Sequence, residues 1–593
     1  MKTLKKTIAR FLIVLGVLFL LIIIAFSVSL SRVQKETKIP EKIILTADLG
    51  EIDTEYRLVS PLMTSFLGKK MTIFDMVIML RKARDDERVK AVIFRTSGTE
   101  LSYSQLRDLR EAVKDFQKSG KKVYAFTDTF AEAGSGTKPY YLASACDAVY
   151  VQPSGMTGLT GFYSASMFFK GTLDKLEMEA QGGKRKDYKT YWNMFTEEEY
   201  TEAHRESVEG LIDSFLSTVA SDIASDRGLS EEDVKNIMQG PPLEAEEALE
   251  NKLVDGIMYR QDVENMVKKG TEDAKTVSFF KYDSELRFSS EAISAELSPH
   301  VAFIYAGGAV HRGKSDYSYE GEMQNTGSYT IAKALEDAAE DDDVKGIILR
   351  VNSPGGSAVA SETIWNSVKK AAEKKPLIVS MSSTAASGGY YIAAGAPEIV
   401  AQPLSVTGSI GVVYGKIYMK EFWEKIGITF DSSKNGEFAD LLSPLESFSE
   451  SQSDYVEKRL DAIYDMFVSR VAEGRKLHPE DVEKIAGGRV WSGADAAEHG
   501  LVDTEGGLRK TFSQMKEKLG LKEQETILLR TFPEPPSWRD IIFGGGGQSN
   551  IRIVYGKNSE MSAAFKSFSD TLSRFIPFFS EGALSISENP VVE

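Results

Sequence analysis

The segment Ser383-Thr384-Ala385-Ala386-Ser387-Gly388-Gly389-Tyr390 places a serine among alanines and glycines, directly after an apolar run and ahead of a helical stretch. A serine at the first turn of a helix, with small neighbours, is open to a substrate carbonyl, and the helix start favours developing negative charge. The same position also suits a helix N-cap, so local features leave both readings open. A second segment, Arg350-Val351-Asn352-Ser353-Pro354-Gly355-Gly356-Ser357, ends another apolar run in a Pro-Gly-Gly turn. Glycines let backbone N–H groups face a ligand without a Cβ in the way, which suits Gly355 or Gly356 to an oxyanion hole. An ordinary strand-to-helix turn has the same composition.

A serine nucleophile needs a base. Histidine is the usual one, but the five here (His204, His300, His311, His478 and His499) all lie away from the glycine-rich motifs. No pair has H-E-x-x-H spacing, and Cys146 is the single cysteine, so neither a zinc site nor a disulfide framework is expected. A lysine can replace histidine when burial lowers its pKa towards the working pH.

An internal repeat gives a way to look for such a lysine. Asp85–Arg95 matches Asp341–Arg350, with Val89 on Val344. Tyr140-Tyr141-Leu142-Ala143 matches Tyr390-Tyr391-Ile392-Ala393, Thr157-Gly158 matches Thr407-Gly408, and Leu253-Val254-Asp255 matches Leu501-Val502-Asp503. The spacing between equivalents shrinks slowly along the chain, as a duplication with small deletions requires. In this alignment Lys189 falls on Ala439, Ser387 on Thr137 and Ser409 on Leu159. The first copy keeps a lysine without the serine motif, and the second keeps the serine motif without the lysine.

The elements that must position these residues read as α/β. Short β-branched runs (91–94, 122–126 and 148–151, then 346–351, 377–381 and 398–401) alternate with helical stretches such as 104–118. This alternation implies βαβ units around a mainly parallel sheet. Long acidic helical stretches at 196–226 and 449–473 correspond between copies. The polar segment from about Phe279 to Pro299 is expected to join the copies, and the glycine run 544–547 to end the second.

The motifs Ala385–Tyr390, Asn352–Gly356 and Thr407-Gly408-Ser409-Ile410-Gly411 together resemble the long, duplicated signal peptide peptidase A type of peptidase family S49. The resemblance covers nearly the whole chain. It implies a tandem duplication of a Clp protease/crotonase-like βαβ domain behind one transmembrane helix, and a Ser/Lys serine endopeptidase without cofactor or metal. It implies Ser387 as nucleophile, Lys189 (in Tyr188-Lys189-Thr190) as general base and Ser409 as the residue orienting that lysine. It also implies Gly388 as oxyanion donor, with Gly355 or Gly356 adding a second N–H. After the lysine, Thr190-Tyr191-Trp192-Asn193-Met194-Phe195 keeps only the hydroxyl and the final Phe of the family pattern, and Lys184 and Lys186 lie close by. The substrates implied are hydrophobic peptides such as cleaved signal peptides, and the assembly a homotetramer.

Residues 11–30 carry no charge and, at 1.5 Å per residue, are long enough for a hydrocarbon core of about 30 Å. Lys2, Lys5, Lys6 and Arg10 precede them, so the N-terminus is expected in the cytoplasm of a single-pass bacterial inner-membrane protein with a periplasmic or extracytoplasmic body. A cleaved leader ending near Ser27-Val28-Ser29 is the competing reading, but the apolar run exceeds the usual apolar core of a signal peptide, about 7–15 residues. The expected organisation is therefore flank and anchor 1–32, linker 33–45, lysine-bearing repeat 46–285, connector 286–298, serine-bearing repeat 299–540, and Gly-rich segment and tail 541–593. The net charge of −16 argues against nucleic acid as a partner. A non-catalytic membrane scaffold and a crotonase-type acyl-CoA enzyme are the alternatives from other classes.

Overall fold

The computed structural model describes residues 39–58, 71–132, 134–287, 298–318, 321–535, 551–554 and 584–586. The expected membrane anchor and the glycine run 544–547 lie outside them. Among the described residues no helix is long and apolar enough to cross a membrane.

The first unit is built on a six-stranded parallel sheet. Its strands are β1 (Ile43–Asp48), β2 (Val89–Arg95), β3 (Lys122–Thr127), β4 (Ala148–Val151), β6 (Gly256–Ile257) and β7 (Lys275–Ser278), in the order β6-β4-β3-β2-β1-β7. Strand β5 (Glu179–Arg185) leaves this sheet altogether.

The second unit repeats the arrangement. Strands β8 (His300–Gly307), β12 (Val344–Ser353), β14 (Leu377–Ala386), β15 (Ile399–Ala401), β19 (Thr504–Glu505) and β20 (Leu528–Phe532) lie in the order β19-β15-β14-β12-β8-β20, again parallel. The equivalence extends to an irregularity of register. Ile43 faces Val89 and Ile44 faces Ala91, skipping Lys90, while His300 faces Val344 and Val301 faces Gly346, skipping Lys345. Central strands such as β12 and β14 are covered on both faces, which is why they read as continuous apolar runs (Ile347-Ile348-Leu349, Leu377-Ile378-Val379) rather than alternating ones.

Short strands complete the second unit. These are β9 (Ala309–His311), β10 (Ser315–Ser318), β11 (Met323–Gly327), β13 (Gly355–Ser357), β16 (Val406–Gly408), β17 (Val412–Tyr418), β18 (Val490–Ser492), β21 (Ile551–Val554) and β22 (Leu584–Ile586). One sheet runs β21-β10-β11-β9-β13-β22-β17-β5. In it the first unit's β5 pairs antiparallel with the second unit's β17, from Arg185 opposite Val412 to Glu179 opposite Tyr418.

A buried polar cluster also joins the units. Arg350 of β12 reaches Glu55 at 2.7 Å and Asp108 at 2.6 Å, both from the first unit and all three buried. Asp108 lies on the helix Tyr103–Gln117, whose cap Ser102 bonds Ser383 at 2.6 Å.

Two expectations change in detail. The acidic helix begins at Glu202, not near 196, because Thr201 caps it by accepting from His204 N; Asn193–Thr196 is a separate helical turn. The polar stretch after Ser278 is no simple connector at its start. Phe279–Arg287 is a helix that buries Phe279 and Tyr282 in the first unit, with the Tyr282 hydroxyl on Asp86.

Candidate active site

Strand β14 runs to Ala386, and the chain enters the short helix Gly388–Ala393 through Ser387. That turn is abrupt. Ser387 has φ 54° and ψ −119°, a conformation non-glycine residues rarely adopt and one that concentrates at functional positions. It is held by its N–H on the Gly408 carbonyl at 2.8 Å and by Tyr391 N–H on its own carbonyl at 2.8 Å. Although Ser387 occupies the N-cap position, its hydroxyl makes no capping hydrogen bond. The Lys189 ammonium nitrogen donates to that hydroxyl instead, at 2.9 Å.

Lys189 arrives from the other unit. It follows β5 by a few residues, and β5 is fixed in register on β17. Ser409 lies between β16 and β17, and β16 pairs with β14 so that Gly408 sits opposite Ala386. The two ladders therefore bring Lys189 and Ser409 to the Ser387 turn. Lys189 Nζ contacts Ser409 twice, at 3.0 Å to Oγ and 3.1 Å to the carbonyl oxygen. Close approach on another side needs glycine at 488, where φ is +88° and a Cβ would stand 2.3 Å from Lys189 N.

Lys189 is 1% exposed and Ser387 0%. No ion pair reaches Lys189 among the described residues, and burial alone lowers its pKa to about 7. A substantial fraction is then neutral at physiological pH, as a general base requires. The neighbouring lysines are engaged elsewhere: Lys184 bonds the Asn193 side chain at 2.6 Å, and Lys186 pairs with Glu483 at 3.1 Å.

Both proposed sources of the oxyanion hole border Ser387. A Cβ on Gly388 would lie 3.0 Å from Gly356 N and 3.2 Å from Gly355 Cα, so the Pro-Gly-Gly turn packs directly on the first residue after the serine. Gly355 N–H donates to Ser353 Oγ at 3.2 Å.

The duplicate of this turn in the first unit is closed. Thr137 Oγ1 donates to the Thr160 carbonyl at 2.7 Å and accepts from Thr160 N–H at 3.0 Å. Ala439, the counterpart of Lys189, lies in an exposed turn where its N–H bonds Gly436 O at 3.2 Å.

The buried support beneath the site escaped sequence reasoning. Glu55 accepts from Ser382 Oγ at 2.6 Å and Gln105 Nε2 at 2.7 Å, and Asp108 accepts from Gln402 Nε2 at 3.0 Å. Arg350 itself carried the available signal: an arginine inside Gly346–Val351 cannot be buried without anions.

A strained serine hydrogen-bonded to a buried lysine without a counter-ion, set on a parallel α/β scaffold, fits a serine-type peptidase. Comparison with known proteins agrees. The sequence model of peptidase family S49 matches residues 115–274 and 369–522. The chain is 31% identical to the chloroplastic serine protease SPPA of Arabidopsis thaliana over 482 residues, 80% of this chain and 69% of that protein. It is 32% identical to Protease 4 of Salmonella typhi over 482 residues, 79% of this chain and 75% of that one. A putative signal peptide peptidase SppA of Enterococcus faecium is 36% identical over 194 residues, 32% of this chain and 56% of that protein. The chain belongs to peptidase family S49 and is a serine-type peptidase of the long, duplicated kind.

Proposed function

We propose that the chain is a membrane-anchored Ser/Lys endopeptidase that degrades cleaved signal peptides and other apolar peptides. The observation that carries this is the buried Lys189 ammonium nitrogen 2.9 Å from Ser387 Oγ. In this reading neutral Lys189 takes the Ser387 proton as Oγ attacks the scissile carbonyl. Gly388 N–H and the Gly355-Gly356 turn stabilise the oxyanion, and Ser409 fixes the lysine. Lys189 then protonates the leaving amine and afterwards activates the water that hydrolyses the acyl-enzyme. No metal or cofactor enters these steps.

The repeat 46–285 supplies the lysine and the repeat 299–540 the serine. Both derive from one Clp protease/crotonase-like ancestor, a reading supported by the shared strand order. The uncharged stretch 11–30 with its basic flank supports an inner-membrane anchor and an extracytoplasmic body. Assembly into a homotetramer is supported by exposed apolar side chains in both repeats, Tyr163 and Met167 in the first and Phe430 and Phe438 in the second.

The test is digestion of a synthetic signal peptide, read by mass spectrometry, with wild type, Ser387→Ala, Lys189→Ala and Lys186→Ala. The first two variants should lose at least about 10²-fold to 10⁴-fold while staying folded, and Lys186→Ala should cleave. Retained cleavage in Lys189→Ala with loss in Lys186→Ala overturns the assignment of the base.

A further inference from the structure

The turn Gly487-Gly488-Arg489, just ahead of β18, touches the segments of both Lys189 and Ser409. A Cβ on Gly488 would stand 2.5 Å from Lys189 Cβ, so the turn lies directly on the lysine. On its other side the Arg489 carbonyl accepts from Ser409 N–H at 2.7 Å, and Gly488 N–H donates to the Ile410 carbonyl at 2.9 Å. These bonds hold Ser409 at φ 51°, a conformation a serine does not take unaided.

The Arg489 side chain extends the same link. Its Nη1 donates to Glu206, on the helix Glu202–Arg227 of the first unit, at 2.6 Å. The Tyr188 hydroxyl donates to the other oxygen of that carboxylate, also at 2.6 Å. The guanidinium lies 5.2 Å from the Tyr188 ring centroid and 4.3 Å from that of Trp491. Tyr188 is the residue before Lys189. Trp491 lies against Gly408, where a Cβ would stand 2.8 Å from the indole, and the Gly408 carbonyl accepts from Ser387 N–H. One half-buried cation thus joins the segment of the base to the segment that fixes the nucleophile.

The other charges near the turn have their own partners. Lys186 pairs with Glu483 at 3.1 Å, and Arg185 with Glu457 at 2.8 Å and Asp461 at 2.6 Å. The Tyr464 hydroxyl accepts from Gly487 N–H at 3.3 Å and donates to Glu483 at 3.0 Å. Glu206 is exposed, and an ion pair with an exposed partner adds little to stability, so stability is a poor account of the Arg489 contacts.

Resting on the Ser/Lys reading of this site, we propose that Arg489 is a positioning residue for the peptidase reaction: through Glu206 it clamps Tyr188 and keeps the turn closed over Lys189, so that the base stays dry and beside Ser387. Without the guanidinium, Tyr188 loses its cationic neighbour and water gains access to the lysine. Hydration favours the ammonium form. Loss of a nearby positive charge, with the Glu206 carboxylate left behind, favours it too. Both effects have the same sign, so a larger share of the base is protonated and idle at a given pH.

Cleavage of an apolar peptide by the full chain, measured as a function of pH, tests this. In Arg489→Met the acid limb should move to higher pH by about one unit, with kcat about tenfold lower at neutral pH and KM within about twofold of the wild type. Tyr188→Phe keeps the ring, loses the hydroxyl on Glu206, and should move the limb the same way by less. The double variant should move it no further than Arg489→Met, because both act through one chain of contacts. Arg489→Lys keeps the charge without the planar stack and should recover part of the shift. An acid limb that stays at the wild-type position in Arg489→Met overturns the proposal, even if the rate or the melting temperature falls. If Arg489→Met does not fold, an unmoved limb in both Tyr188→Phe and Arg489→Lys overturns it. Lys189→Ala, run alongside, separates the two readings. If it is inactive while the limb of Arg489→Met is unmoved, only the positioning role falls. If it cleaves like the wild type, the Ser/Lys reading and this one fall together.

Discussion

Ser409 meets Lys189 at two atoms, its hydroxyl at 3.0 Å and its carbonyl oxygen at 3.1 Å, and so fixes the ammonium nitrogen beside Ser387. The third contact, to Ser387 Oγ, leaves the lysine with oxygens around it and, among the described residues, no anion. That combination sets how the site should respond to pH and to mutation.

Activity should rise with pH. Because burial holds the Lys189 pKa near 7, kcat/KM for a fluorogenic apolar peptide should climb about tenfold per pH unit below that value and level off above it. Stability carries the same sign. The unfolded lysine titrates near 10.5 and binds its proton more tightly than the folded one, so this group makes unfolding free energy increase from about pH 7 to 10.5. Thermal melts of wild type and Lys189→Met across that window check it: the variant should lose this component.

Ser409→Ala removes one of the three oxygens that meet the lysine nitrogen. A single hydrogen bond of this kind is worth about 1–1.5 kcal/mol, so the rate should fall about tenfold rather than vanish. The ammonium form loses more than the neutral form. The acid limb of the pH profile should therefore move to lower pH, a shift that general loosening of the fold would not produce.

Gly415→Val should disable the enzyme without touching the dyad. A Cβ at 415 would stand 2.4 Å from the Gln181 carbonyl and 2.6 Å from the Trp192 ring, forcing β5 off β17. Displacing Lys189 by an ångström should cost about 10²-fold in kcat/KM, with circular dichroism unchanged.

Arg350→Met should cost stability. It leaves Glu55 and Asp108 buried without their cation, a loss of about 3–5 kcal/mol readable by urea denaturation.

Much of the scaffold was legible because its signals are local. Val89 and Val344 identified equivalent strands, and the structure places each immediately before the residue its ladder skips. The serine motif announced itself through small residues that a sharp turn between strand and helix needs. What stayed hidden depends on distant partners. Strand β5 reads Glu-Ala-Gln-Gly-Gly-Lys-Arg, with no apolar alternation, and takes its extended form from the β17 ladder. Glu55 and Asp108 look like surface charges until Arg350 is placed between them. The N-cap reading of Ser387 was right about position and silent about the hydroxyl, whose direction depends on a lysine 198 residues away.

That separation governs when the enzyme can first work. On the proposed Ser/Lys reading, the lysine half emerges long before the serine half during synthesis, and neither owns a complete set of reacting groups. An incomplete or truncated chain is therefore inert, however well its first half folds. On that reading cleavage should begin only when β17 has formed and captured β5, so the onset of activity would double as an inspection of the finished molecule.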